Sequence, residues 1–370
     1  MEMISAIPKI PEDILRANPS ALHQEGMELK KYLREARERV AKVLEVMPEE
    51  VIFTSGATES DNLAIKGTVE TWLKEGIKAE EIFIFYSEIE HVAIIEAIST
   101  TNVNHVELKT EGGIINHKDI TIPQNAKAVL ISVMYVNNEI GTVQDISEIS
   151  KRVRYLRKHN PDVKIVFHTD ATQAPAHFSL RVPSLGVDMM TLGSTKLYCD
   201  KGVGVLFKKR NIKTTPIMHG GGQEYGLRAG TEPVRLIHEF SFALKYAHEI
   251  RDKETLRVKE LQNYFETEIK SRFPNIKISA ENSPRTPHIS HIAIPNFDSE
   301  LMVLELDARG ISVSAKSACK NEEGNESPVV EQLHGKGFAG VRFSFGRKTA
   351  KKDIDIALQA LASVIEKYRG

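Results

Sequence analysis

The sequence predicts an α/β fold: a mostly parallel sheet flanked by helices in a large domain, followed by a smaller α+β domain. Three observations carry this expectation. Continuous apolar runs of strand length alternate with helical stretches, the pattern of strands buried on both faces. Two of those runs end close to chemistry-bearing residues, Asp170 and Lys196. Near Thr231 the alternation stops, and a long helical stretch leads into shorter elements.

Taken in order, Asn18-Pro-Ser20 reads as a helix start, and an amphipathic helix runs over 21–46 with Glu35, Arg37, Glu38 and Arg39 as its solvated face. Val51-Ile-Phe-Thr-Ser55 is a strand that turns at Gly56-Ala-Thr58 into a helix through Leu63 and Ile65. A strand over 81–86 precedes a helix over 91–99, and a strand over 128–135 precedes a helix over 145–158. Strands follow at 164–169, 187–192 and 203–208. Residues 233–273 read as largely helical. The smaller domain then takes a strand at 289–294, a helix at 299–308, a strand at 340–345 and a helix at 352–368. The polar, acidic stretch 317–332 reads as a mobile loop. The expected domains are 1–240, with the N-terminal helix packing toward the smaller domain, and 241–370.

Composition narrows the function. With 49 basic and 50 acidic residues well mixed, no basic face for nucleic acid is expected. Two cysteines, Cys199 and Cys319, make no disulfide framework and favour a reducing compartment. No apolar run approaches the roughly 20 residues that span a bilayer, and the N-terminus lacks the basic and apolar pattern of a signal sequence. A cytoplasmic protein is expected, with no membrane partner and no bound metal.

The candidate chemistry sits at strand ends, where ligands of α/β sheets gather. Asp170 ends one strand, and Lys196 follows the next through Gly193-Ser194-Thr195. An amine can capture an aldehyde as an imine, and an acid can hold a pyridine nitrogen protonated, so the pair suits a pyridine-ring cofactor. Gln173 lies close enough to bond the same ligand. Ser55-Gly56-Ala57-Thr58 between a strand and a helix reads either as an ordinary helix cap or as an anion site. His91 reads as a cap, a core residue or a ring-stacking partner. Asn137-Asn138-Glu139 reads as a turn or a ligand contact. Arg342 alternates with Val341 and Phe343, so its fork points away from their face, toward a carboxylate or an interdomain acid. Cys319 lies among small polar residues between Lys316 and Lys320, which suits an accessible thiolate; the other reading is an idle surface cysteine. Cys199 reads as structural.

These motifs, running from about Asn18 to Ile365, resemble the cysteine desulfurases, enzymes of the class V aminotransferase group with the pyridoxal-phosphate type I fold. The resemblance rests on 53–67 (Phe-Thr-Ser-Gly-Ala-Thr-Glu-Ser-Asp-Asn-Leu-Ala-Ile-Lys-Gly), 136–141, 168–173, 219–224, 228–231, Ser317-Ala-Cys319 and 341–347. The long cysteine loop resembles the subgroup serving iron–sulfur assembly and tRNA thiolation. The resemblance implies that Lys196 carries pyridoxal 5'-phosphate as an imine, Asp170 keeps its ring nitrogen protonated, and His91 stacks on the ring and, with Lys196 and Cys319, is catalytic, moving protons. Gln173 contacts the ring oxygen, and Asn138 lies at the ring edge or near the substrate carboxylate. Ala57, Thr58, Gly193, Ser194, Thr195 and Thr231 surround the phosphate. Thr231 would come from the second subunit of a homodimer. Arg342 would grip the carboxylate of L-cysteine. Cys319 would take the sulfur as a persulfide for a sulfur-acceptor protein, leaving alanine.

The sequence departs from the family pattern in places. The family's first strand and its Ala-Thr-Thr element have no counterpart here. Thr195 replaces the usual histidine; its hydroxyl can bond phosphate but adds neither charge nor stacking. Lys316 stands where glycine is usual, Cys199-Asp200 replaces Gly-Pro, and the C-terminal tail is short. Two other readings stand beside the first: a related lyase or aminotransferase, such as a selenocysteine lyase, and a non-catalytic homologue.

Overall fold

The computed structural model describes residues 7–315 and 328–368. Apart from short 3₁₀ turns, the first half holds α1 (Glu12–Leu15), α2 (Gln24–Leu44), β1 (Val51–Thr54), α3 (Ala57–Lys74), β2 (Ile82–Ser87), α4 (Val92–Ser99), β3 (Asn104–Leu108), β4 (Thr110–Glu111), β5 (Ile114–Ile115), β6 (Ala128–Ser132) and α5 (Ile146–His159). The second half holds β7 (Lys164–Asp170), α6 (Val182–Leu185), β8 (Met189–Gly193), β9 (Gly204–Lys208), α7 (Val234–Arg272), β10 (Lys277–Ile278), β11 (Ile289–Pro295), α8 (Ser299–Asp307), α9 (Pro328–His334), β12 (Phe338–Ser344) and α10 (Lys351–Tyr368). They form two compact units. The larger takes residues up to Lys109, Ile115–Tyr135 and Asp145–Ile250; the smaller takes Thr110–Ile114, Val136–Gln144 and Arg251 onward. The division thus falls inside α7, and two short excursions of the N-terminal half count with the smaller unit.

The larger unit is built on a seven-stranded sheet in the order β1-β9-β8-β7-β6-β2-β3. The β3/β2, β2/β6, β6/β7 and β7/β8 pairs are parallel, and β9 runs antiparallel to both β8 and β1. The C-terminal ends of β1, β2, β6, β7 and β8 therefore share one edge. Strands β6 and β8 are buried throughout, as their unbroken apolar runs require. Under α3, one face of the sheet holds Ile52, Ile84, Leu130, Val166, Met189 and Leu206 against Leu63, Ile65, Val69 and Trp72. The smaller unit packs the antiparallel sheet β10-β11-β12 with Phe265 and Ile269 of α7, Met302 of α8 and Leu358 and Leu361 of α10. On β12, Val341 and Phe343 point into this core while Arg342, between them, is half-buried, as the alternation predicts.

Several expectations need correction. The α2 helix starts at Gln24, not 21, because the Asn18 side chain accepts from Ser20 N–H (2.9 Å) and closes a turn; His23 is the cap, its Nδ1 accepting from Gly26 N–H (3.2 Å). The strand expected over 128–135 ends at Ser132. Beyond it Val133 and Tyr135 still donate to β7, but Met134 N–H donates to the Glu90 carboxylate at 2.7 Å. The edge strand β3 carries too few apolar residues to signal itself. Most of the stretch read as a mobile loop lies outside the described residues, but a helix, α9, begins at Pro328, a favoured first helical residue.

Arg37 was assigned to a solvated face, yet it is 8% exposed. Its guanidinium donates to both oxygens of Glu224 (2.8 and 2.5 Å) and to the Val51 carbonyl, while Glu224 also accepts from Phe53 N–H at 2.8 Å. Arg39 lies 3.8 Å above the Phe242 ring and donates to Ser241. A periodicity reading misses such arginines because their partners are nearly 190 or more residues away. The bidentate pair ties the glycine-rich 219–231 loop to β1, so Arg37→Ala is expected to lower unfolding free energy by about 3–5 kcal/mol in urea titrations, the cost of leaving a buried carboxylate unpaired. A loss under about 1 kcal/mol would mean that water readily compensates Glu224.

Candidate cofactor site

The shared edge of strand C-termini in the larger unit collects most of the expected site residues. Asp170 closes β7, buried, and its Oδ1 accepts from Thr172 N–H at 2.8 Å, which fixes the carboxylate plane. Gln173, half-buried, follows on the same turn. Asp170 is the Cα partner of Thr191 on β8, two residues before Gly193. Gly193 is buried, and Ser194–Lys196 form a single 3₁₀ turn. Ser194 is turned inward, its hydroxyl donating to the Asp200 carbonyl at 2.8 Å, and Leu197 is fully buried. Anchored on both sides, the turn leaves Thr195 and Lys196 exposed. Tyr198 just beyond has a left-handed φ of 62°, a conformation that a bulky residue rarely adopts. Cys199 donates weakly to the Leu197 and Glu239 carbonyls, a structural placement.

The N-terminus of α3 lies at the same edge. Ala57 and Thr58 open the helix, and the N-cap, Gly56, supplies no side-chain acceptor, so the first N–H groups of an 18-residue helix are left for another acceptor. Gly204 explains the geometry: a Cβ there would lie 2.4 Å from the Gly56 carbonyl carbon, so only glycine lets the backbones meet. A Cβ at Gly193 would lie 3.3 Å from Ala57 Cβ, which places the end of β8 beside the start of α3. Glu59 accepts from Ser55 N–H (2.7 Å) and from Arg228 Nε (3.3 Å), so the 228–231 segment carrying the exposed Thr231 is pinned to the first turn of α3. His91 is the N-cap of α4, its Nδ1 accepting from Ala93 N–H at 3.1 Å. This capping bond puts the proton of a neutral ring on Nε2.

The remaining residues belong to the smaller unit. Asn137, buried, accepts from Glu139 and Ile140 N–H (2.8 and 2.9 Å) and makes the turn whose apex is Asn138. The Arg342 guanidinium donates to the Asn138 carbonyl (2.5 Å) and to Ser314 Oγ (3.0 Å). Burial lowers its pKa and Glu139 opposes this, but a guanidinium stays charged throughout the working pH range. Cys319 lies outside the described residues.

Motif reading passed over a polar column behind Asp170. Along the α3 side of the sheet the apolar stripe gives way, toward the strand ends, to Ser132, His168 and Thr191. His168 joins them, with Nδ1 3.0 Å from Ser132 Oγ and Nε2 3.0 Å from Thr191 Oγ1, and burial pushes it down to about 3, so it is neutral. Asp61, on the inner face of α3, lies 3.8 Å from His168 Nε2 and is 1% exposed. Burial, then repulsion from Asp170, raises it well above the usual carboxylate range. Burial likewise raises Glu90, against the bond from Met134 N–H. The signal was present: an aspartate within a buried run, Ser60-Asp61-Asn-Leu-Ala-Ile65.

An uncapped helix N-terminus for a phosphate, a buried acid for a ring nitrogen, an imidazole held by its cap and a lysine on a pinned, exposed turn fit pyridoxal 5'-phosphate. Among the described residues no group of acids, histidines and cysteines is arranged to hold a metal ion, and no helix is long and apolar enough to cross a membrane. The fold is that of a pyridoxal-phosphate type I enzyme. The chain belongs to the class V aminotransferase family, whose sequence model matches residues 4–357. It is 35% identical over 364 residues, 95% of this chain and 88% of the relative, to the cysteine desulfurase IscS of Dictyoglomus turgidum. It is 33% identical, with the same coverage, to the cysteine desulfurase IscS of Clostridium botulinum. The NifS-like protein of Rickettsia africae superposes with a TM-score of 0.82 over 98% of both chains, at 25% identity.

Proposed function

We propose that this protein is a pyridoxal-phosphate-dependent cysteine desulfurase, which converts L-cysteine to L-alanine and takes the sulfur onto Cys319. The observation that carries the reading is the pairing of β7 with β8, which sets buried Asp170 and the pinned Lys196 turn on neighbouring parallel strand ends. Relatives named cysteine desulfurase, 32–35% identical over nearly the whole chain, support it.

Pyridoxal 5'-phosphate, when bound, supplies an aldehyde for amines and an electron-withdrawing ring. Lys196 is the amine that holds it and then moves protons at the substrate carbons. The Asp170 carboxylate keeps a proton on the ring nitrogen. The His91 ring stacks on the cofactor and Gln173 bonds its oxygen. Ala57, Thr58, Gly193, Ser194, Thr195 and Thr231 hold the phosphate; for Ser194 this falls to backbone N–H, its hydroxyl being used within the fold. Arg342 binds the cysteine carboxylate with Asn138 beside it, giving up bonds to neutral acceptors for a charged one. The Cys319 thiolate attacks the substrate sulfur; the Cβ–S bond breaks, the carbon takes a proton, and alanine leaves while the sulfur stays on Cys319 as a persulfide. The protein works as a cytoplasmic homodimer in which Thr231 serves the opposite subunit's phosphate. The sulfur passes to an acceptor protein of iron–sulfur assembly or tRNA thiolation.

The test is direct. Purified protein given L-cysteine and a thiol reductant is expected to release alanine and sulfide in equal amounts, and Cys319→Ala is expected to reduce both by at least about 10²-fold. Sulfide release that survives this substitution would rule out the persulfide route.

A further inference from the structure

Three carboxyl groups share the buried edge of the sheet: Asp170, Asp61 and Glu90, each at most 6% exposed. A single pyridine nitrogen calls for a single negative charge, so the question is which carboxyl carries it. Their surroundings differ. Asp170 is held by the Thr172 N–H and ends its strand, while one oxygen of Glu90 is held by Met134 N–H. Neither oxygen of Asp61 has a hydrogen-bond partner among the described residues. The groups that face it are neutral His168, the acids Asp170 and Glu90, and the Thr191 hydroxyl, whose pull toward the ionised form is outweighed by burial and by Asp170. Among the described residues no cation is paired with it. An ionised carboxylate so placed would be desolvated, unpaired and repelled.

We infer that Asp61 is a positioning residue that remains a neutral carboxylic acid behind Asp170, so that the negative charge of the buried set resides on Asp170, where the ring nitrogen is met. This rests on the cofactor reading of Asp170 given above, but the state of Asp61 is a property of the chain itself. Burial and Asp170 both hold the Asp61 proton on in the fold. A group whose acid form is favoured by folding contributes fully below its unfolded value, near pH 4, and loses that contribution as pH rises toward its folded value. Asparagine mimics the neutral acid and has no proton to lose.

The experiment compares full-length wild type with Asp61→Asn and Asp61→Leu. The unfolding midpoint of D61N minus that of wild type is expected to widen as pH rises from about 4 to about 8. A gap that stays constant or narrows would mean that Asp61 is ionised in the fold, and would overturn the inference. Dissociation of pyridoxal 5'-phosphate, followed by its visible absorbance, is expected to stay within about twofold of wild type in D61N and to weaken by about tenfold or more in D61L, which leaves no side-chain dipole in the field of the Asp170 charge. Wild-type binding by D61L would overturn the positioning role even if the pH arm succeeds. The pH arm needs only D61N, so it stands if D61L does not fold. Failure of wild type itself to bind the cofactor would instead overturn the cofactor reading, and the positioning role with it, while the pH arm would still report the proton on Asp61.

Discussion

Lys196→Ala is expected to abolish turnover, lowering kcat by at least about 10⁴-fold, because in the proposed function one amine supplies both the attachment of the cofactor and the proton transfers at carbon. The fold should survive. The turn is held by Ser194 bonding Asp200 and by the buried Leu197. Circular dichroism and the unfolding midpoint should therefore match wild type. The visible band of the cofactor attached to protein should be lost, and added primary amines should restore part of the proton-transfer rate. A K196A protein that still releases alanine at more than about 1% of the wild-type rate would exclude Lys196 as the essential amine.

Asp170→Asn ranks second. Asparagine can keep the bond from Thr172 N–H through its own oxygen, so the turn should stay in place. What is lost is the charge that keeps a proton on the ring nitrogen. Electrostatic groups of this kind are worth about 10²–10³-fold in kcat, and the loss should fall on kcat more than on KM for cysteine, since the proposed function sets Asp170 at the ring nitrogen and not at the substrate. The pH dependence of the cofactor's visible band should shift as well. A D170N enzyme with unchanged kcat and a raised KM would place Asp170 at the substrate instead.

Much of the fold was legible because its signals are local. Strands β6, β7 and β8 are unbroken apolar runs, and α3 is announced by Gly56 after a strand. The same holds for the chemistry at strand ends: Asp170, Lys196 and His91 could each be placed because a periodic element delivers them. Arg37, Asp61 and Glu90 were not legible in this way. Each is an ionisable residue whose character is set by residues distant in sequence: Glu224 for Arg37, His168 and Asp170 for Asp61, and the Met134 amide for Glu90. Helical periodicity assigns such residues to solvent by default, since unpaired charges are rarely buried. The Asn137 turn was correctly weighed as a turn, but its service to Arg342 depends on the smaller unit's long-range packing.

The contact between Gly204 and Gly56 has a practical consequence. Replacing a strand glycine by alanine is an ordinary way to stiffen a chain and raise its melting temperature. Here the added methyl would wedge α3 away from β9 and pull the helix's free amides out of aim. Anyone engineering this enzyme for hardness therefore meets ligand capture at a buried strand position.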